Sequence, residues 1–396
     1  MKIRSLWLGL SIALLAESAM AQMMMRPPAF AGGIPGRASM DAIFMQRHQA
    51  RTLLYREALE ELRKNPQAAD LPICGAGISG PCLATDKSVQ ATPPTVGASV
   101  AKPALPVDTP PVAVVPAKKP AVSAPTVVPK AVPEAPTISA QAPEKPSEET
   151  VVKKVAPPTP KEGRRIALLF GNNDYATPIP PLETPIADVS EIAAVLTKRF
   201  GFSTQVIKNA GQAKIIEELN RVAATVGPED SVLLFYAGHG YLMDDIGMGF
   251  WIPVDASVKT AKGWISNKDI SKLLGAIPAH QLILISDSCF SGTLTKEQKV
   301  AEGALASPET LSQRRSVVVL SSGGDEPVSD EGKDGHSIFA WNLIRELKGM
   351  GALTPGVRVW KTVHGEVKKD YPQEPQYGAV VSAGHVAGGD YLFLPK

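Results

Sequence analysis

Ser231-Val-Leu-Leu-Phe-Tyr-Ala-Gly-His239-Gly240 and Gln281-Leu-Ile-Leu-Ile-Ser-Asp287-Ser-Cys289-Phe-Ser-Gly292 are the two stretches that decide the fold. Each is an apolar run without polar alternation, the mark of a strand covered on both faces. Each stops at a reactive side chain with glycine close by. Working outward, strands are expected at 164–170, 203–207, 232–236, 282–285 and 316–320. Helices are expected at 188–199, 213–226, 267–274 (with Ser266 as N-cap), 337–347 and 357–369. Two late apolar runs, 377–381 and 391–394, read as a final strand and a tail that packs back. Strands alternating with helices imply an α/β sandwich with a mostly parallel central sheet flanked by helices. Ligand sites of such folds lie at the carboxyl ends of the strands, where both His239 and Cys289 fall.

The residues before this region differ in kind. Met1-Lys2-Ile3-Arg4 is basic, an apolar stretch runs from Leu6 to Ala16, and Ser18-Ala19-Met20-Ala21 follows. This is the pattern of a cleaved signal peptide over 1–21, and it implies a periplasmic or secreted protein. The apolar stretch is short for a membrane span, so no integral span is expected in the mature chain. Residues 22–90 read as a small module with one helix in 42–64. Cys74 and Cys82 lie eight apart in a glycine-rich loop. In an oxidising compartment they would close it as a disulfide; the alternative is two unrelated small apolar residues. Residues 91–160 hold 17 of the 36 prolines and no aromatic residue. Such a composition builds no core and makes a semi-rigid linker. The domain proper is expected over 161–396.

A formal charge of +2 gives no field that would recruit nucleic acid or anionic lipid. The three cysteines show no zinc-ligand spacing. Once Cys74 is set against Cys82, Cys289 is left over, and an unpaired thiol in an exported chain points to reactivity. A cysteine after a strand is also an ordinary core residue, and a histidine between glycines an ordinary turn. Their matching strand-end positions favour chemistry. His239 would take the Cys289 thiol proton and later protonate a leaving amine. The backbone N–H groups of Gly240 and Cys289 would face the developing oxyanion.

With these motifs in view, the region from Arg165 resembles the caspase-like cysteine peptidases, in particular their bacterial metacaspase-like (orthocaspase) branch. Phe235-Tyr-Ala-Gly-His-Gly240 is similar to that family's histidine motif, and Trp251-Ile-Pro-Val-Asp255 to the segment after it. Asp287-Ser-Cys-Phe-Ser-Gly292 is similar to its nucleophile motif. Gly335-His-Ser-Ile-Phe-Ala340 and Pro372-Gln-Glu-Pro-Gln376 resemble parts of its smaller half. The resemblance implies a caspase-like three-layer sandwich and cleavage after Arg or Lys in a protein or peptide substrate. It implies that Asp287 and Asp188 line the pocket for that basic residue. Two carboxylates suit a guanidinium on chemical grounds as well. For Asp188 an acidic residue opening a helix is the competing explanation. Residues 293–316, which contain Lys296, Lys299, Arg314 and Arg315, are a candidate self-cleavage loop, with the bonds at Arg314-Arg315 the first expected site. Calcium activates some relatives, but Asp244 and Asp245 lack the spacing of an EF-hand, so no cofactor is assigned and calcium stays open as an activator. A monomer is expected. The rival reading is a non-catalytic scaffold on a caspase fold; a third is a cysteine hydrolase of non-peptide substrates.

Overall fold

The computed structural model describes residues 42, 46, 49–71, 163–243, 245–288, 294–302, 307–324 and 332–396. The expected signal peptide, the Cys74 and Cys82 pair, the linker over 91–160, Asp244 and Cys289 itself lie outside the described residues. The chain divides into two compact units, one of residues 1–88 with 160–396 and one of residues 89–159.

Helix α1 (Arg56–Lys64) continues a helical run from residue 49. The region from residue 163 then opens with β1 (Arg165–Gly171), α2 (Pro185–Val195), β2 (Ser203–Lys208), α3 (Gln212–Thr225) and β3 (Ser231–Ala237). A small three-stranded sheet follows, β4 (Gly240–Met243), β5 (Met248–Trp251) and β6 (Ile265–Ser266). Next come α4 (Asn267–Ala276), β7 (Gln281–Asp287), α5 (Pro308–Gln313), β8 (Ser316–Ser321) and the hairpin β9 (Gly332–Lys333) and β10 (His336–Ser337). The chain ends with α6 (Ile338–Gly349), β11 (Thr354–Pro355), α7 (Gly356–Asp370), β12 (Gln376–Ala379) and β13 (Leu392–Phe393).

The main sheet has the order β12-β8-β7-β3-β1-β2. Five strands run parallel, and β12 pairs antiparallel with β8 at one edge. Alternate residues feed opposite faces, as the pleat requires. Leu169, Phe235, Ile285 and Leu320 join Ile192 of α2, Leu343 of α6 and Val363 of α7 in one core. Phe170, Leu234, Leu284 and Val319 join Ile216 of α3 and Leu274 of α4 in the other. The apolar runs are therefore continuous because both faces are covered.

A third core lies beside the small sheet. Tyr55, Leu59 and Leu62 of the N-terminal helical run pack with Tyr241, Phe250, Ile252 and Trp264. Full burial of Leu59 and Leu62 stabilises this contact by about 1.5–3 kcal/mol each. Residues 49–71 thus share a hydrophobic core with the region that follows the linker in sequence. Ser266 caps α4 as its sequence suggests, accepting from Asp269 N. α2 begins at Pro185, three residues before the expected start, since proline at the first turn sacrifices no helical hydrogen bond. Among the described residues no helix is long and apolar enough to cross a membrane.

Candidate active site

Strands β3 and β7 are neighbours, and Ala237 pairs with Asp287 at their carboxyl ends. Gly238 N donates to Asp287 O at 3.2 Å just beyond that pair. His239 is two residues past Ala237; Cys289 is two residues past Asp287 and lies outside the described residues. Ser288, the last described residue before it, is buried, and its hydroxyl lies 3.0 Å from Ser286 Oγ.

His239 is nearly fully buried, and the chain around it fixes both its backbone and its ring. Its N–H donates to the Tyr175 hydroxyl at 2.8 Å. Its carbonyl accepts from Ile252 N at 3.0 Å and lies 3.0 Å from the Tyr236 hydroxyl. The ring leans on Tyr175, with centroids 4.6 Å apart. Its Nε2 is 2.8 Å from the Pro180 carbonyl. A carbonyl only accepts, so the proton of the neutral ring sits on Nε2 and the lone pair on Nδ1. Gly238 is needed for a close approach: a Cβ there would sit 2.6 Å from the Tyr175 hydroxyl. Gly240 opens β4 opposite Trp251, whose ring stacks on Tyr236 at 4.2 Å. Trp251 Nε1 in turn donates to Ser286 Oγ at 3.1 Å, linking the small sheet to β7.

Asp188 and Asp287 converge on one residue, Ser337. Its hydroxyl donates to Asp287 Oδ2 at 2.5 Å and its N–H lies 3.3 Å from Asp188 Oδ1. The same hydroxyl accepts from Ala340 N at 2.9 Å and so caps α6. Asp188 is buried in the first turn of α2, and His336 Nδ1 lies 2.8 Å from its Oδ1. Burial, and then the charge of Asp287, push the Asp188 carboxyl up to about 8. The contact with His336 holds in either form, as carboxyl O–H to ring nitrogen or ring N–H to carboxylate.

Tyr175, the Pro180 carbonyl, His336 and Ser337 were not singled out from the sequence. His336 and Ser337 sit in Gly335-His-Ser-Ile-Phe-Ala340, where the resemblance gives a stretch but no role for either residue. The part played by Pro180 is a backbone one and leaves no side-chain signal. Among the expected cleavage residues, Arg315 is half-buried. Its guanidinium donates to the carbonyls of Ile277 at 2.9 Å, Ala279 at 2.7 Å and Ala383 at 3.0 Å. Lys296 and Lys299 are exposed. Asp245 pairs with Arg63 at 2.7 Å. Among the described residues no group of three or more His, Cys, Asp or Glu side chains is arranged to hold a metal ion.

The solved structures that resemble the chain include two at low identity. Protein GSU0716 from Geobacter sulfurreducens is 18% identical, with a TM-score of 0.41; the match covers 58% of this chain and 99% of that one. Caspase-1 from Spodoptera frugiperda is 14% identical, also with a TM-score of 0.41; the match covers 55% of this chain and 87% of that one. No curated protein matches the chain. The family model described as the caspase domain matches residues 164–381, from the edge of β1 to just past β12 and more than half of the chain. With that match and a mostly parallel sheet flanked by helices, the chain belongs to the caspase-domain family of peptidases.

Proposed function

We propose that this chain is an exported cysteine endopeptidase of the metacaspase-like kind that cleaves after Arg or Lys. Cys289 is the nucleophile and His239 the base. The observation that carries the reading is the parallel pairing of Ala237 with Asp287, since His239 and Cys289 each follow that pair by two residues. The ring tautomer suits the task, because Nε2 is engaged by the Pro180 carbonyl and Nδ1 has the lone pair. In the first step the Cys289 thiol gives its proton to Nδ1, and sulfur adds to the scissile carbonyl carbon. The N–H groups of Gly240 and Cys289 receive the oxyanion. The imidazolium then protonates the amine as the C–N bond breaks, and water releases the acyl group from sulfur.

Asp188 and Asp287 supply the carboxyl groups for the substrate's cation. The ionised fraction of Asp188 grows as pH rises toward about 8, so basic substrates bind better at the upper end of the neutral range. Self-processing in residues 293–316 falls at Lys296 or Lys299 in this reading. A cut after Arg315 would first have to withdraw its guanidinium from three backbone carbonyls.

The test offers peptides ending in Arg, Lys, Asp or Ala before a reporter amide to wild type and Cys289→Ala, with and without calcium. Cysteine-dependent release after Arg or Lys is expected. Equal release by Cys289→Ala, or preference for Asp, overturns the reading.

A further inference from the structure

The N-terminal helical run reaches the shell around His239 through one continuous core. Tyr55 meets Tyr241 and Trp264 edge-on, with centroids 5.4 and 5.1 Å apart. Thr52 Oγ1 lies 3.1 Å from the Tyr241 hydroxyl. Tyr241 is two residues past His239 on β4. The core that Tyr55, Leu59 and Leu62 complete also contains Ile179, the neighbour of Pro180, and has Tyr175 packed against it. These two positions fix His239: Pro180 by its carbonyl on Nε2, Tyr175 by its hydroxyl on the backbone N–H. Burial pushes the Tyr175 hydroxyl up, and the charge of Arg51, on the same helical run, opposes that slightly.

Polar contacts pin the segment at several further points. Glu61 Oε2 accepts from Ala261 N at 3.0 Å, and Asp269 Oδ2 accepts from Leu71 N at 3.2 Å. Asp70 pairs with Lys268 at 3.2 Å. Tyr55, Ala58, Leu59, Leu62, Ala69 and Leu71 are all buried. Residues 49–71 and the region from 163 onward belong to one compact unit, although residues 89–159 separate them in sequence.

We infer that residues 49–71 are a positioning clip for His239, held by the third core and not by the linker, so that cutting the linker leaves the clip in place and the site intact. Tyr55 is its positioning residue. It acts on His239 through Tyr241, Ile179 and Tyr175, and touches no reacting atom. The inference rests on the proposed peptidase reading only for its kinetic consequence.

The experiment uses the full chain with a recognition site for a foreign protease placed in the linker, on a Cys289→Ala background. After complete cutting the two pieces are expected to co-elute on size exclusion and to separate in Leu59→Asp/Leu62→Asp. Separation of the cut pieces without those substitutions overturns the clip. In the active chain, Tyr55→Ala is expected to lower kcat on the order of 10-fold while KM stays within about twofold, and to move the pH midpoint of kcat/KM. A lowered melting temperature with an unmoved pH profile would reduce Tyr55 to a structural role and overturn the positioning claim. Histidine-labelled NMR of Cys289→Ala, with and without Tyr55→Ala, reads the His239 titration directly. It decides the positioning claim even if wild type cleaves no peptide, which would count against the peptidase reading alone.

Discussion

His239 is held by groups that carry no reactive label of their own, and Tyr175 is the clearest of them. Its hydroxyl is the acceptor for the His239 backbone N–H, and its ring packs against the imidazole. Tyr175→Phe keeps the ring and removes the acceptor, leaving a buried N–H unpaired, which costs about 1–3 kcal/mol. We expect that loss in denaturant unfolding, together with a lowered kcat, because the backbone that aims the imidazole is loosened. Unchanged stability and kcat would show that water or a shifted loop replaces the hydroxyl. The sequence marks His239 by its glycines and its strand end. It marks neither Tyr175, whose partner is 64 positions away, nor Pro180, which acts by a carbonyl that any residue has. Asp188 and Asp287 are linked in the sequence only through the family resemblance, which leaves a helix-opening role for Asp188 equally open. Their meeting at Ser337 is not legible there, because it depends on how α2, β7 and α6 pack.

At the scale of elements, α6 does two jobs from its first turn. Ser337 satisfies the helix's own orphan Ala340 N–H and donates to Asp287. Ser337→Ala removes both bonds. The lost cap costs about 1 kcal/mol, and Asp287 loses a donor that orients it toward the sheet end. Ser337→Thr keeps a hydroxyl, so it is expected to restore most of the melting temperature and of kcat/KM on Arg peptides. An alanine variant as active and as stable as wild type would remove Ser337 from the site. The strands of the main sheet and the helices that cover it were readable because their apolar runs and 3.6-residue spacings are long. The small sheet β4–β5–β6 was not, since its four-residue and two-residue strands are too short to show a period. The antiparallel direction of β12 was equally hidden: periodicity gives a strand but not its sense. For the N-terminal run, Tyr55, Leu59 and Leu62 mark an apolar face, yet nothing local says that it faces a sheet almost two hundred residues later.

At the scale of the whole molecule, two buried acids make stability depend on pH in a direction opposite to the usual carboxylate case, which acids such as Asp230 and Glu218 follow. Asp188 is pushed up to about 8 and Asp390 up to about 6, in both cases chiefly by burial. Asp390 is held at the start of α7, accepting from Val357 N at 3.0 Å, and it also meets the Tyr377 hydroxyl at 2.5 Å. Each group has a folded-state pKa above its unfolded value near 3.8. The folded chain therefore binds more protons than the unfolded chain over that interval, and stability falls as pH rises through it. Asp390 acts between about 4 and 6, Asp188 between about 4 and 8. His385, buried and accepting from Val317 N, is shifted down by burial and works the other way just below 6.5, where rising pH favours the fold. Above pH 6.5 the Asp188 contribution remains alone among these three. Asp188→Asn keeps the shape and removes the ionisation, so its melting temperature relative to wild type should rise steadily from pH 6.5 to 8 and then level off. Circular dichroism melts of both proteins across pH 5–9 measure that difference. A difference that stays flat across pH 6.5–8, or one that falls, would mean that His336 holds Asp188 ionised throughout and that the acid pair carries its full charge at neutral pH.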